Sequence, residues 1–267
     1  MSKQLIQTED SSAEQSINGG IYRQLAPLYD RLIGNQLFPA IVSSFEICRR
    51  QFQFRFSLMA DIGCGSGRFL KYLTRYAKPL IGIDASPEML KISARRLQPA
   101  RVLLLRQDIR YLKLPKSADL ITCNGDTLNY ILSRQDLRQT LRSCQQNLTP
   151  GGYLVGDFLS GTPMPPEKSE TKQLIRLPGM VSRWHWQAWP AQRMTQVNIQ
   201  FQPVESGGPR KQLEIHRQRW FSEVEFKRDL NAAGLRVCRI WPLVAQGGAG
   251  PKGRWLKFVA RRNKGLV

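Results

Sequence analysis

The sequence predicts an α/β protein: a doubly wound, mostly parallel seven-stranded sheet with an inserted antiparallel β meander. Three observations predict it. From about residue 56 to 160, apolar runs of strand length alternate with longer amphipathic runs, the order of successive βαβ units. A glycine-rich turn, "DIGCGSG" at 61–67, joins the first such strand to the first such helix. From about residue 160 to 221 the period becomes polar/apolar alternation broken by Pro and Gly, as antiparallel strands require.

Each element has its own signal. Residues 1–20 form a polar lead that reads as disordered and lacks the apolar centre of a secretory signal. "IYRQLAPLYDRLIG" reads as a helix or pair of turns ending at Gly34. In "PAIVSSFEICRRQF", Ile41, Phe45, Cys48 and Phe52 recur at helical spacing. "FSLMADI" is the first strand, "GRFLKYLTRYA" a helix and "PLIGIDAS" the second strand. "PEMLKISARRL" is a helix with Ser86 as N-cap and Pro87 in its first turn. "RVLLLRQD" and "SADLITCNG" are the third and fourth strands. "SRQDLRQTLRSCQQNL" is a helix capped by Ser133 and closed by the turn "TPGG", and "GYLVGDFLS" is the fifth strand.

"SGTPMPPEKSETK" then reads as a polar loop, and "GMVSRWHWQAW", "RMTQVNIQFQPV" and "KQLEIHRQRWF" as three strands of a meander. "SEVEFKRDLNAAG" is a helix with a capping box at Ser222 and Glu225 and a glycine stop at Gly234. "LRVCRIWPL" and "RWLKFVARR" complete the sheet. The partition is therefore a lead (1–20), a ligand-binding core (21–159), an inserted β segment over the site (160–221) and a closing helix and strands (222–267).

Composition narrows the function classes. No apolar run is long enough to span a bilayer. The five cysteines are scattered without a CxxC pair, so neither a disulfide framework nor a metal site is expected, and the setting reads as cytoplasmic. Forty Lys and Arg residues against 20 Asp and Glu give a formal net charge of +20. Such a charge raises an acidic partner, nucleic acid above all. The basic residues are spread over the whole chain with no dense block, which argues for a basic surface without a dedicated partner. Oligomeric state has no signature in the chain.

Ligands of open α/β sheets bind beyond the carboxyl ends of the strands. That rule singles out Gly63 to Gly67, Asp84, Asp108, Asn124 to Tyr130, and Asp157. The glycine turn is not a dinucleotide fingerprint, because Arg68 stands where the third glycine belongs. It is not a P-loop either, lacking Gly-Lys-Ser/Thr. Asp84 lies about 20 residues on, placed to accept ribose hydroxyls. Asp108 ends the third strand, placed to accept from an adenine amine. An adenosine without phosphates fits this set.

The ordered motifs "DIGCGSG", "GIDASPEML", "RQDIR", "ADLITCNGDTLNYI" and "LTPGGYLVGDF" resemble those of the class I S-adenosylmethionine-dependent methyltransferases, small-molecule type. The resemblance runs from about Tyr22 to Phe158 and implies a Rossmann-like fold with S-adenosylmethionine as methyl donor. It implies that Gly63 and Gly65 run the backbone along the methionine portion, Asp61 faces its amino group, and Asp84 holds the ribose. Ala85 and Met89 would pack beside the adenosine. Asp108 and the Ile109 backbone would read the adenine, and Asn124 would lie near the methionine amine and the sulfonium. Tyr22 and Tyr29 would lid the pocket.

Methyl transfer chiefly needs the nucleophile held in line with the S–CH3 bond, plus a proton acceptor where the nucleophile is protonated. Asp126, Tyr130 and His216 are the candidates. Asp126 serves equally as a turn cap, Tyr130 reads first as packing, and His216 as a surface histidine. Trp184, Trp186 and Trp189 form either an acceptor wall or one packed aromatic face of a strand. Arg217 and Arg219 share a strand face suited to an anion or to solvent. The leading reading is methyl transfer to an N or O atom of a small molecule. An RNA or protein methyltransferase and a catalytically silent binding module are the alternatives.

Overall fold

The computed structural model describes residues 6–8, 21–54, 57–76, 79–98, 100, 102–161, 170–204, 212–243 and 255–264. Along the chain the strands are β1 (Ile6–Thr8), β2 (Met59–Ile62), β3 (Leu80–Asp84), β4 (Leu103–Arg106), β5 (Ala118–Cys123) and β6 (Leu148–Leu159). They continue with β7 (Glu170–Leu177), β8 (Met180–Trp189), β9 (Met194–Pro203), β10 (Gln212–Arg219), β11 (Leu235–Pro242) and β12 (Trp255–Arg262). The α-helices are α1 (Ala26–Tyr29), α2 (Asn35–Phe52), α3 (Arg68–Leu73), α4 (Pro87–Arg96), α5 (Arg134–Gln146) and α6 (Glu223–Ala232).

The main sheet has the order β1-β4-β3-β2-β5-β6-β12-β11. β2 to β6 pair in parallel, and β12 runs antiparallel to both β6 and β11. The order reverses between β2 and β5, which opens a crevice at their carboxyl ends. Burial on both faces explains why β2 and β3 are apolar but for Asp61 and Asp84. Ala60, Ile62, Ile81, Phe158 and Phe258 belong to one core layer, with Leu137 of α5 and Phe226 of α6. Met59, Leu104, Leu120 and Val155 belong to the other, with Phe45 of α2, Leu70 of α3 and Leu90 of α4. The expected caps form: Ser86, Ser133 and Ser222 each accept a backbone N–H three residues on.

The inserted segment is a separate antiparallel sheet, β10-β9-β8-β7. Among the described residues its strands number four rather than the expected three. β7 covers residues 170–172 of the expected loop, and 162–169 lie outside the described residues. β7 shows no apolar alternation because it is an exposed edge strand. Trp184, Val197, Ile199 and Phe201 pack against Leu25, and Tyr22, Leu28 and Leu32 join them. This sheet therefore holds the 21–34 segment over the crevice.

Two further details differ from expectation. Ile6–Thr8, within the polar lead, adds a parallel edge strand beside β4; the rest of 1–20 lies outside the described residues. α2 starts at Asn35 rather than at Pro39, because a π-helical turn at Asp30–Gly34 runs straight into it. Pro39 then costs the helix one backbone bond without ending it.

Candidate active site

A cavity of about 470 Å³ occupies the crevice. Its floor is the glycine turn after β2 and the ends of β3, β4 and β5. Its roof includes Tyr22, Tyr29 and, from α2, Phe38 and Ile41. All the residues assigned from the resemblance to the donor line it: Tyr22, Tyr29, Asp61, Gly63, Gly65, Asp84, Ala85, Met89, Asp108, Ile109 and Asn124. Tyr130 lines it too, whereas Asp126 and His216 stand behind the wall.

The three glycines of the turn all have positive φ, but for different surroundings. A Cβ on Gly63 would stand 2.2 Å from Thr127 Oγ1, and one on Gly67 2.3 Å from Ser93 Oγ. A Cβ on Gly65 would meet nothing within 4 Å. Gly63 and Gly67 thus make room for the protein, and Gly65 faces open cavity.

Three carboxylates converge on the floor. Asp84 accepts the backbone N–H groups of Gly65 at 2.8 Å and Ser86 at 2.9 Å, which leaves further lone pairs for a ligand. Burial raises its pKa. Asp61 accepts from the Thr122 hydroxyl at 2.6 Å. Desolvation by burial, opposed by that bond and aided by the nearby Asp84 charge, pushes its pKa up to about 7. Asp108 caps the following turn through Arg110 N–H and is paired with the Arg110 guanidinium. The cationic side chains of the lining, Arg68 and Arg110, are engaged with Asn35 and with Asp108 and Asp136. This floor suits a cationic, phosphate-free ligand.

Sequence reasoning missed Lys257. It is fully buried in β12, opposite Asp157 of β6, and donates to Asn124 Oδ1. Its positive charge lowers the pKa values of both Asp61 and Asp157 against their burial. The signal was a lysine inside the otherwise apolar run "WLKFVA". A lysine only donates, so the atom of Asn124 left without a partner among the described residues, the buried Nδ2, is a donor. That is unsuited to a methionine amine and suited to an oxygen. Asp157 itself lies inside β6, not beyond it. Its Oδ1 accepts from Gly125 N–H, Asp126 N–H and Trp255 Nε1–H, so it shapes the loop after β5 rather than the cavity.

At the other end of the cavity stands an aromatic group. The Tyr22 and Tyr29 rings meet edge to face at 5.7 Å, and Tyr22 and Tyr130 lie 5.9 Å apart. The Tyr22 and Tyr130 hydroxyls are 2.8 Å apart, and the Tyr130 hydroxyl is 3.0 Å from His216 Nδ1. His216 is no surface residue: it is 2% exposed, and its Nε2 lies 3.1 Å from Glu214 Oε2. Burial raises the pKa of all three tyrosines, first among several causes. Asp126 stands at the N-cap position of its turn, but its side chain makes no cap bond there. It sits at φ +64, burial pushes its pKa up to about 7, and Oδ1 has no partner among the described residues.

The lid is clasped to the glycine turn. Asp30 accepts from the Ser66 hydroxyl at 2.7 Å and from Arg96, which also donates to Ser66 O at 2.9 Å. The tryptophans do not form an acceptor wall. Trp184 and Trp186 stack at 6.0 Å within the apolar face of the second sheet, and Trp189 is 39% exposed on the other face. Strand alternation dictates this. Arg217 donates to Gln196 on the surface, and Arg219 to Leu132 O.

Known proteins share this fold. Residues 59–152 match the model of a methyltransferase domain. The chain is 28% identical over 214 residues to a dTDP-4-amino-2,3,4,6-tetradeoxy-D-glucose N,N-dimethyltransferase of Saccharopolyspora spinosa, covering 77% of this chain and 78% of that one. An S-adenosylmethionine-dependent methyltransferase from Clostridium acetobutylicum superposes with a TM-score of 0.75 at 20% identity, over 91% of this chain and 99% of that one. The S-adenosylmethionine-bound amino pentose methyltransferase from Micromonospora echinaspora does so at 0.65 and 23%, over 89% and 95%. With the motifs in order on this fold, the chain is an S-adenosylmethionine-dependent methyltransferase with the Rossmann-like class I fold and uses S-adenosylmethionine as its methyl donor.

Proposed function

We propose that the protein transfers the methyl group to an N or O atom of a small-molecule acceptor, and that an amine is the better fit. The observation that carries this is the composition of the cavity. Its floor is carboxylates with an open place at Gly65, and its far wall is tyrosine hydroxyls with no cationic side chain of its own. Bound S-adenosylmethionine supplies an activated methyl on a sulfonium. The chain's own residues do the rest by holding and orienting.

In this reading Asp84 takes the ribose hydroxyls with the lone pairs left by Gly65 and Ser86. Asp61 takes the methionine ammonium, whose positive charge brings the pKa of this carboxyl down again on binding. Asp108 and the Ile109 backbone meet the adenine, and Ala85 and Met89 pack against it. Asn124, turned by Lys257, gives its Nδ2–H to an oxygen of the methionine carboxylate. Tyr22, Tyr29 and Tyr130 receive the acceptor, their rings suited to an ammonium. The aminosugar N-methyltransferases among the relatives support an amine as the acceptor.

The test is methyl transfer from S-adenosylmethionine to a panel of primary and secondary amines, aminohexoses and their nucleotide-linked forms, with matched alcohols and an RNA control. Turnover of amines supports the reading. Turnover of RNA alone would replace it with the reading that the +20 charge suggests.

A further inference from the structure

We infer that Glu214, His216, Tyr130 and Tyr22 form a directional relay that takes the proton of an incoming ammonium out of the cavity. This rests on the amine reading above and assigns the proton's destination.

The direction follows from the buried end. Glu214 is 4% exposed, and its Oε1 accepts the backbone N–H groups of Gln24 and of Leu25, the latter at 3.1 Å. Its Oε2 faces His216 Nε2 at 3.1 Å. A carboxylate accepts, so Nε2 carries the proton and Nδ1 is left as an acceptor. Tyr130 must then point its O–H at Nδ1, 3.0 Å away. With that hydrogen committed, Tyr130 can only accept from Tyr22, at 2.8 Å. The Tyr22 oxygen is left with lone pairs, and Tyr22 lines the cavity. Fixing one carboxylate therefore fixes every donor in the chain.

The transfer balances. The ammonium N–H bond breaks and its proton joins the Tyr22 oxygen. The Tyr22 proton passes to Tyr130, and the Tyr130 proton to His216 Nδ1. A neutral amine with a free pair remains in the cavity, and an imidazolium remains paired with Glu214. No phenolate persists, which matters because burial holds both tyrosines protonated. Orientation of an imidazole by a buried carboxylate is the logic of hydrolase triads, applied here to a phenol. Asp126 is a neighbour rather than a link. Among the described residues, its Oδ2 accepts from Gln218 Nε2 at 3.5 Å and from no member of the relay.

Glu214 has a second effect. By holding the N–H groups of Gln24 and Leu25 it fixes the turn that carries Tyr22 at φ +64. The inserted sheet thereby sets both the relay and the lid.

The test uses the full chain with 15N-labelled histidine. Only two histidines occur, and His185→Gln identifies the signals of His216. The relay predicts the Nε2–H tautomer for His216, with a hydrogen-bonded Nδ1 whose resonance shifts toward that of a free imidazole nitrogen in Tyr130→Phe. An Nδ1–H tautomer, or an Nδ1 signal indifferent to Tyr130→Phe, overturns the proposal whatever the acceptor proves to be.

The kinetic arm uses any amine methylated in the panel above. Tyr130→Phe should lower kcat at least tenfold below that amine's pKa, and the defect should shrink above it, where no proton needs removing. A loss independent of pH overturns the proton role. The groups bearing on this profile are Tyr22, Tyr29, Asp84, Asp126, Tyr130, Glu214 and His216. If no amine is turned over, the acceptor assignment fails while the tautomer still decides the relay.

Discussion

Gly63 and Gly65 are two residues apart, and a side chain added at each should fail for opposite reasons. Gly65→Val puts a side chain into open cavity, so it should abolish S-adenosylmethionine binding in calorimetry, at a stability cost of only about 1 kcal/mol for the positive φ. Gly63→Ala drives its methyl into Thr127, so it should lower the melting temperature sharply before any ligand is added. Sequence alone shows the glycines but not which neighbour each one spares. Asp61 supplies a second test at this scale. Its folded-state pKa of about 7 lies above the ordinary 3.8, so between those values the folded chain holds a proton that the unfolded chain has released. Stability is therefore lost as pH rises through that window. In cofactor-free protein, the melting temperature of Asp61→Asn relative to wild type should rise by roughly 5 °C from pH 4 to pH 8. A constant difference would mean that Lys257 keeps Asp61 ionised throughout. Asp61, Asp84 and Asp108 were legible because they end strands at set distances from the glycines. Lys257, Glu214 and the burial of His216 were not, because their partners lie on elements far away in sequence.

The elements of the parallel core were legible in "MADI", "LIGID" and "ADLITC", since a strand buried on both faces has no choice but an apolar run. β7 was not, because an exposed edge strand needs only backbone partners and its sequence reads as loop. The tryptophan strand was legible as a strand and misleading as a site. Alternation puts Trp184 and Trp186 on the packed face, and the tyrosines of the lid take the wall instead. What joins the two sheets is a buried asparagine. Asn129 accepts Leu159 N–H at 3.0 Å and donates to Arg219 O at 2.7 Å, which pins the end of β6 to the end of β10. Asn129→Ala leaves both backbone groups buried without a partner, a loss of about 2–4 kcal/mol. Hydrogen exchange should show faster opening of β10 than of β2 and β3 in this variant. Equal protection of all three would show that apolar packing alone holds the inserted sheet.

The whole molecule is a methyl-donor fold with a second sheet that closes the lid over the crevice. Among the described residues no helix is long and apolar enough to cross a membrane. The +20 charge is spread along the chain rather than gathered at the cavity. It should therefore bind RNA without sequence preference, losing roughly a thousandfold in affinity between 50 and 200 mM salt, while S-adenosylmethionine affinity stays constant. An RNA affinity that survives high salt would point to a dedicated interface. The central claim is that the crevice at the ends of β2 to β5 holds S-adenosylmethionine through Asp84 and the glycine turn. The most direct measurement is calorimetric titration of cofactor-free protein, wild type and Asp84→Ala, with S-adenosylmethionine and then S-adenosylhomocysteine. The account predicts micromolar binding of both ligands to wild type and a loss in the folded variant of at least about 100-fold, or ~2.7 kcal/mol. Failure of the folded wild type to bind either ligand, or a variant that binds as tightly as wild type, would contradict it.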